Sequence, residues 1–168
     1  MSNGIKYFLL FLGMIFLQVI VFNKIHLFGV ATPLIYIYFI LKLPFDLNRN
    51  TVLVLSSLLG LSVDLLSSTI GLNMLACTVI GFIRYYFMRL APQDLLPHSS
   101  PSLYSFGFGF FFRYVIIMML AHHSVLFFVE SFSLFDLSHV LLRIGGSSLF
   151  TLIMIFAFEF LIPNKNKK

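Results

Sequence analysis

The stretch SSLLGLSVDLLSSTIGLN, residues 56–73, decides how this chain is read. An aspartate, Asp64, stands in the middle of an otherwise apolar run, among glycine and serines. A charged side chain at the centre of a membrane helix costs roughly 2.5–3.5 kcal/mol on insertion scales, so its presence asks for a partner or a role. Residues 67–71, Ser-Ser-Thr-Ile-Gly, then form a short uncharged turn closing on Gly71. Ser56, Gly60, Asp64 and Ser68 recur every fourth residue and so share one helix face. Asn73, Cys77 and Gly81 repeat that spacing after the turn. Small residues at this interval let two backbones approach closely, which predicts a tight antiparallel helical hairpin. A ligand groove is the competing reading of the same face.

Outward from this stretch the chain stays apolar. Of its 168 residues, 60% are hydrophobic and 10% charged, with a mean hydropathy of +1.01. Soluble domains sit nearer 45–50% apolar and about 25% charged, so a water-soluble core is excluded. Runs of membrane-spanning length recur from end to end, and at about 20 residues per span the length accommodates six. The expected fold is an all-α integral membrane protein. It forms a single domain over 1–168, a compact bundle of six transmembrane helices at about 7–22, 27–45, 51–66, 72–87, 104–128 and 137–162. No room remains for an extramembrane domain. Residues 91–102, rich in proline, and 130–136, rich in acids, are expected as loops.

The net charge of +5 does not point to nucleic acid, because the basic residues lie at span ends. With six spans, Lys6, Lys42, Arg49, Arg84, Arg89, Lys165, Lys167 and Lys168 fall on the side of both termini. Lys24 falls on the other, and Arg113 and Arg143 lie within spans. Lysine and arginine accumulate on the cytoplasmic side, so both termini are expected there. Lys42 is expected to snorkel to the interface, and Arg84, Tyr85, Tyr86 and Arg89 to form an interfacial anchor.

Asp64 lies about five residues from the outer end of its span, a depth of roughly 7 Å by helical rise. Arg143 enters the last span at similar depth, making Asp64–Arg143 the first-choice ion pair. Arg113 and Glu159 are the corresponding candidates on the inner side. A proton relay or substrate counter-ion is the functional alternative. His122, His123, Glu130, Asp136 and His139 lack any metal-binding spacing, and adjacent histidines point to different helix faces; a polar rim at the outer leaflet is expected. Cys77 stands alone, so neither a disulfide framework nor a cysteine metal site is indicated. No phosphate-binding loop, dinucleotide fingerprint or nucleophile elbow occurs, so no catalytic, cofactor or metal site is expected. A membrane enzyme working through His122, His123 or Glu130 is the least supported reading. Gln18 is expected to hydrogen-bond a neighbouring helix.

Several of these segments carry a resemblance. A first span with Leu17-Gln18 is followed by HLFGVATPLIYIYFILKLP, then GLSVDLLSSTIGLNMLACTVIGFIR, then a basic, proline-containing loop. This order resembles the MreD family of rod shape-determining proteins, in its Bacteroidetes-type form, over essentially the whole chain. Its most specific part is G-L-x-x-D-L-x-S-x-x-x-G-x-N from Gly60 to Asn73. Many members follow the second-span proline with aspartate; here Pro33 precedes Leu34, so any role of that aspartate does not transfer. The resemblance implies a non-enzymatic scaffold in the bacterial inner membrane that binds the bitopic protein MreC. Through it the scaffold would meet the actin-like MreB, the glycosyltransferase RodA and a penicillin-binding transpeptidase, and so help control lateral peptidoglycan synthesis. It also implies a fold similar to the substrate-binding component of energy-coupling-factor vitamin transporters. Capture of a vitamin-like solute from the outer face is therefore the alternative function.

Overall fold

The computed structural model describes residues 3–25, 31–69, 71–91, 99–131 and 137–161. Every regular element among them is helical: α1 (Asn3–Ile20), α2 (Ile37–Lys42), α3 (Arg49–Ser67), α4 (Leu72–Met88), α5 (Leu103–Phe106), α6 (Phe108–Ser131) and α7 (Leu137–Leu161). A 3-10 turn, Phe22–Lys24, extends α1. Among the described residues, four helical stretches are long and apolar enough to cross a membrane: Gly4–Lys24, Arg49–Ser67, Phe108–Ser131 and Leu137–Leu161. The 17-residue α4 is apolar but shorter.

The expected α3–α4 hairpin is present and closely packed. A Cβ placed on Gly60 would lie 2.4 Å from the carbonyl oxygen of Asn73, and one on Gly81 would lie 2.7 Å from Ser56 Oγ. Only glycine permits backbones this close. The Ser57 and Thr78 hydroxyls meet across the same seam at 2.7 Å. Helix α4 then packs on α6, α6 on α7, and α1 on α3.

The second span expected at about 27–45 is not a continuous helix. Residues 31–36 are not helical, and α2 covers only Ile37–Lys42. Pro33 disfavours helical geometry at Thr32. The freed backbone groups find side-chain partners on two other helices. Thr32 N–H donates to Ser147 Oγ (3.0 Å), Leu34 N–H to Thr151 Oγ1 (3.0 Å) and Ile35 N–H to Gln18 Oε1 (2.8 Å). Gln18 Nε2 donates back to the Pro33 carbonyl at 3.2 Å, so the partner expected for Gln18 on a neighbouring helix is instead this non-helical segment. Non-helical backbone at membrane depth persists only where protein satisfies it in this way. This segment and α2 are the centre of the core: Ile35 to Leu41 are buried at every position. A helix apolar all round belongs inside.

The outer faces carry exposed Phe8, Phe16, Leu65, Leu142, Leu149 and Phe160, a surface suited to lipid. The expected fifth span, about 104–128, is interrupted at Gly107, whose φ of +76° separates α5 from α6. Helix α6 runs to Ser131, so Glu130 is still helical where a turn is expected. The rest of that turn, most of the 91–102 loop, Asp136 and the basic residues at 165–168 lie outside the described residues.

Candidate functional site

Asp64 is a helix cap. Its carboxylate accepts the backbone N–H groups of Asn73 (3.1 Å) and Met74 (2.8 Å), the side-chain amide of Asn73 (2.8 Å) and the hydroxyl of Thr69. The residue at the N-cap of α4 is Gly71 in the left-handed region (φ +68°), which has no side chain to cap with. The preceding helix supplies the missing acceptor, and its negative charge lies where the helix dipole favours it. Ser68, also left-handed at φ +55°, closes α3 onto the Asp64 carbonyl and is exposed. The expected pair with Arg143 is therefore replaced. Arg143 binds Glu130 at 2.9 Å and lies over the Phe127 ring at 4.5 Å, because α7 packs on α6 at this level.

Above this cap the bundle end opens into a cavity of about 460 Å³. Asn23 and Lys24 at the end of α1, Thr32 and Leu34 of the extended segment, Ser67, Thr69 and Asn73 of the hairpin, and Glu130 and Arg143 all line it. Val19, Val63, Leu66, Leu72, Leu126 and Phe127 supply the apolar part. The volume falls in the range of small-molecule sites, and an interrupted helix at a membrane protein's pocket is a recurrent construction. Several of its polar groups already serve the framework: Asn23 takes Gln18 Nε2 (2.9 Å) and donates to Ser67 Oγ (2.7 Å).

Beneath the cavity a polar chain enters the core. Asn73 Nδ2 donates to Asp64 and to Thr69, which fixes Asn73 Oδ1 as an acceptor. Tyr36 donates its hydroxyl hydrogen to that oxygen at 2.7 Å, so the His122 nitrogen 2.9 Å from Tyr36 Oη must carry a hydrogen. His122 is thus the Nε2–H tautomer, assigned from the network. Its Nδ1 has no hydrogen-bond partner among the described residues. His123 sits 2.8 Å from the Met119 carbonyl and 3.3 Å from Thr151. Both histidines are fully buried, which corrects the expected polar rim at the outer leaflet. Being adjacent on α6, they turn toward α2–α4 and α7 respectively, both of which cover that helix. No group of three or more histidine, cysteine or carboxylate side chains suited to a metal occurs among the described residues.

At the opposite end, Glu159 pairs with Lys42, Nζ to Oε2 at 3.0 Å, and also accepts from Tyr38 Oη (3.0 Å) and Leu103 N–H (3.2 Å). Lys42 further donates to the Pro101 carbonyl at 2.8 Å. Lys42 therefore does not snorkel, and the expected Arg113–Glu159 pair is absent: Arg113 is exposed on α6, while Glu159 faces the core. Arg84, expected at the interface, is buried. It donates to the Leu43 and Pro44 carbonyls, and through Nε to Tyr114 Oη at 3.1 Å, closing the C-terminus of α2.

The structure thus gathers Gly60, Asp64, Gly71 and Asn73 into one unit, sets Ser56 against Gly81 in the same hairpin, and disperses Arg113, Arg143 and Glu159. Lys42 and Arg84, read as interfacial, are core residues, and the residues missed in the sequence are Tyr36, Thr69, Ser147 and Thr151. Of these, only Thr69 carries a local signal, as the hydroxyl in a turn between two helices. Compared with models of known families, with curated proteins and with solved structures, the chain matches none.

Proposed function

We propose that this protein is a non-enzymatic scaffold of the bacterial cell-elongation complex, an MreD-like inner-membrane protein that binds an MreC-like bitopic partner. What carries the reading is the unit from Gly60 to Asn73. The residues that specify the resemblance to that family are the ones whose contacts build the α3–α4 hairpin: glycine for close approach, aspartate for the cap, asparagine as its main donor. In the proposed topology the chain crosses the membrane six times. The second crossing is the extended segment plus α2, and α4 spans despite its length; both termini are cytoplasmic. The buried charges Asp64, Lys42, Glu159 and Arg84 each join one element to another, as suits a part that holds shape and presents helix faces to a partner. Affinity purification of the detergent-solubilised protein from its own host tests this. Recovery of an MreC-like single-span protein supports it, and repeated recovery without one contradicts it.

The cavity favours a second reading, a solute-binding component of a vitamin-type transporter. It opens at the end that the positive-inside distribution assigns to the outer face, beside the interrupted span. Native mass spectrometry separates the two. A retained small-molecule adduct supports the transporter component. An empty protein that does not respond to a vitamin panel in thermal-shift assays supports the scaffold.

A further inference from the structure

A second concavity, of about 290 Å³, lies at the other end of the hairpin, between the start of α3 and the end of α4. Two arginines, Arg49 and Arg89, line it. Neither has a carboxylate within ion-pair distance among the described residues. Arg49 lies over the Phe82 ring at 4.6 Å, and Arg89 over Tyr85 at 4.7 Å while donating to Tyr85 Oη at 2.7 Å. The aromatic rings hold both guanidinium planes in place without neutralising them. Arg89 is exposed and Arg49 part-exposed, so their forks offer charged donors to an anionic oxygen. The first turn of α3 points the same way. Its N-cap, Asn48, makes no side-chain cap bond and no acidic residue follows, so the N–H groups there also face toward negative charge. One carboxylate, Asp46, shares the concavity and has a partner of its own. Two cations and one anion leave a single positive charge.

We propose that this concavity binds the phosphate of an anionic phospholipid headgroup. A phosphodiester carries one negative charge and presents the paired oxygens that guanidinium forks match, and in an anionic lipid no headgroup ammonium offsets that charge as choline does in phosphatidylcholine. The site sits beside an exposed Tyr86 and Leu90, at the end of the bundle where Lys42 and Arg84 also lie, which is the level of headgroups in the basic leaflet. Basic pockets between helices on that side take such lipids. The interaction needs nothing from the outer cavity and holds under either proposed function.

The full chain, purified in neutral detergent and given an equimolar mixture of phosphatidylglycerol and phosphatidylcholine, is read by native mass spectrometry. Wild-type protein is expected to retain phosphatidylglycerol about tenfold over phosphatidylcholine, as two interfacial arginines imply. The Arg49→Gln/Arg89→Gln double variant is expected to lose that preference to within about twofold, and Arg113→Gln, which removes charge from an exposed site on α6, to keep it. Protection of the buried Cys77 from a thiol-reactive dye reports that each variant is folded. A preference that is absent in wild type, or that survives in the folded double variant, overturns the proposal. So does inorganic phosphate displacing the lipid at equal concentration, because the site would then take free phosphate.

Discussion

The Asp64 carboxylate accepts both the backbone N–H and the side-chain amide of Asn73, at 3.1 and 2.8 Å, and by doing so ties the end of α3 to the start of α4. Removing the acceptor takes the partner from the backbone N–H groups of Asn73 and Met74 and weakens the hold on the Asn73 amide, which keeps only Thr69. Asp64→Ala is expected to destabilise the protein by about 2–3 kcal/mol, the combined scale of a lost cap and of orphaned buried donors. Asp64→Asn keeps one carbonyl acceptor and is expected to lose less. Thermal unfolding followed by dye labelling of Cys77, the lone and buried cysteine, measures both. An unchanged midpoint for Asp64→Ala would show that the cap is not structural.

Gly60 and Gly145 make opposite tests of small residues in membrane helices. A Cβ on Gly60 meets backbone atoms of Asn73 and Met74, which cannot rotate away, whereas one on Gly145 meets nothing within 4 Å. Gly60→Ala is expected to separate the hairpin and cost about 1–3 kcal/mol or more, the range for overpacking. Gly145→Ala is expected to be neutral or slightly stabilising, by about 0.5–1 kcal/mol from helix propensity. Equal effects in the same unfolding assay would contradict the packing.

Lys42 and Glu159 form a pair in which each charge is the other's main compensation, Nζ to Oε2 at 3.0 Å. Breaking a buried pair from one side costs about 3–5 kcal/mol, while replacing both partners by apolar residues is often near neutral. Glu159→Leu and Lys42→Met are each expected to be strongly destabilising, and the double variant less so than either. A double-mutant cycle gives the coupling; additive losses would mean that the two side chains act separately.

Gln18 holds the extended segment by two bonds, to the Ile35 N–H and the Pro33 carbonyl, and is itself tied to Asn23 at the end of α1 by a third. Gln18→Leu leaves the Ile35 N–H without its acceptor, a loss of about 1–3 kcal/mol. Hydrogen exchange at residues 34–36 is expected to rise well beyond that of α2. Exchange that rises equally along both would show that the segment and helix open as one unit.

The hairpin was legible in residues 56–73 because spacing and side-chain size are local properties, and a four-residue ladder of small residues has one geometric meaning on a helix. Partners were not legible, because they depend on which helices become neighbours. Depth alone matched Asp64 to Arg143, yet backbone N–H groups nine and ten residues on were closer than any cation. Lys42 looked like a snorkelling residue because its distance from Glu159, 117 residues away, is set only by tertiary packing. The extended segment at 31–36 was not legible: Pro33 stands where the first turns of a continuous helix would also tolerate proline, and the side chains that make the break tolerable come from α1 and α7. The cavity had no sequence signature, since its lining is drawn from six separate stretches of the chain.

Cell width after depletion tests the scaffold reading most directly. Loss of the protein from its host is expected to turn rods into wide or round cells. Wild-type protein supplied in trans restores them, and Asp64→Ala, by loosening the hairpin, restores them poorly or fails to accumulate. Rods of unchanged width in the absence of the protein would contradict a role in elongation. Normal accumulation and full rescue by Asp64→Ala would contradict the part assigned to the α3–α4 hairpin.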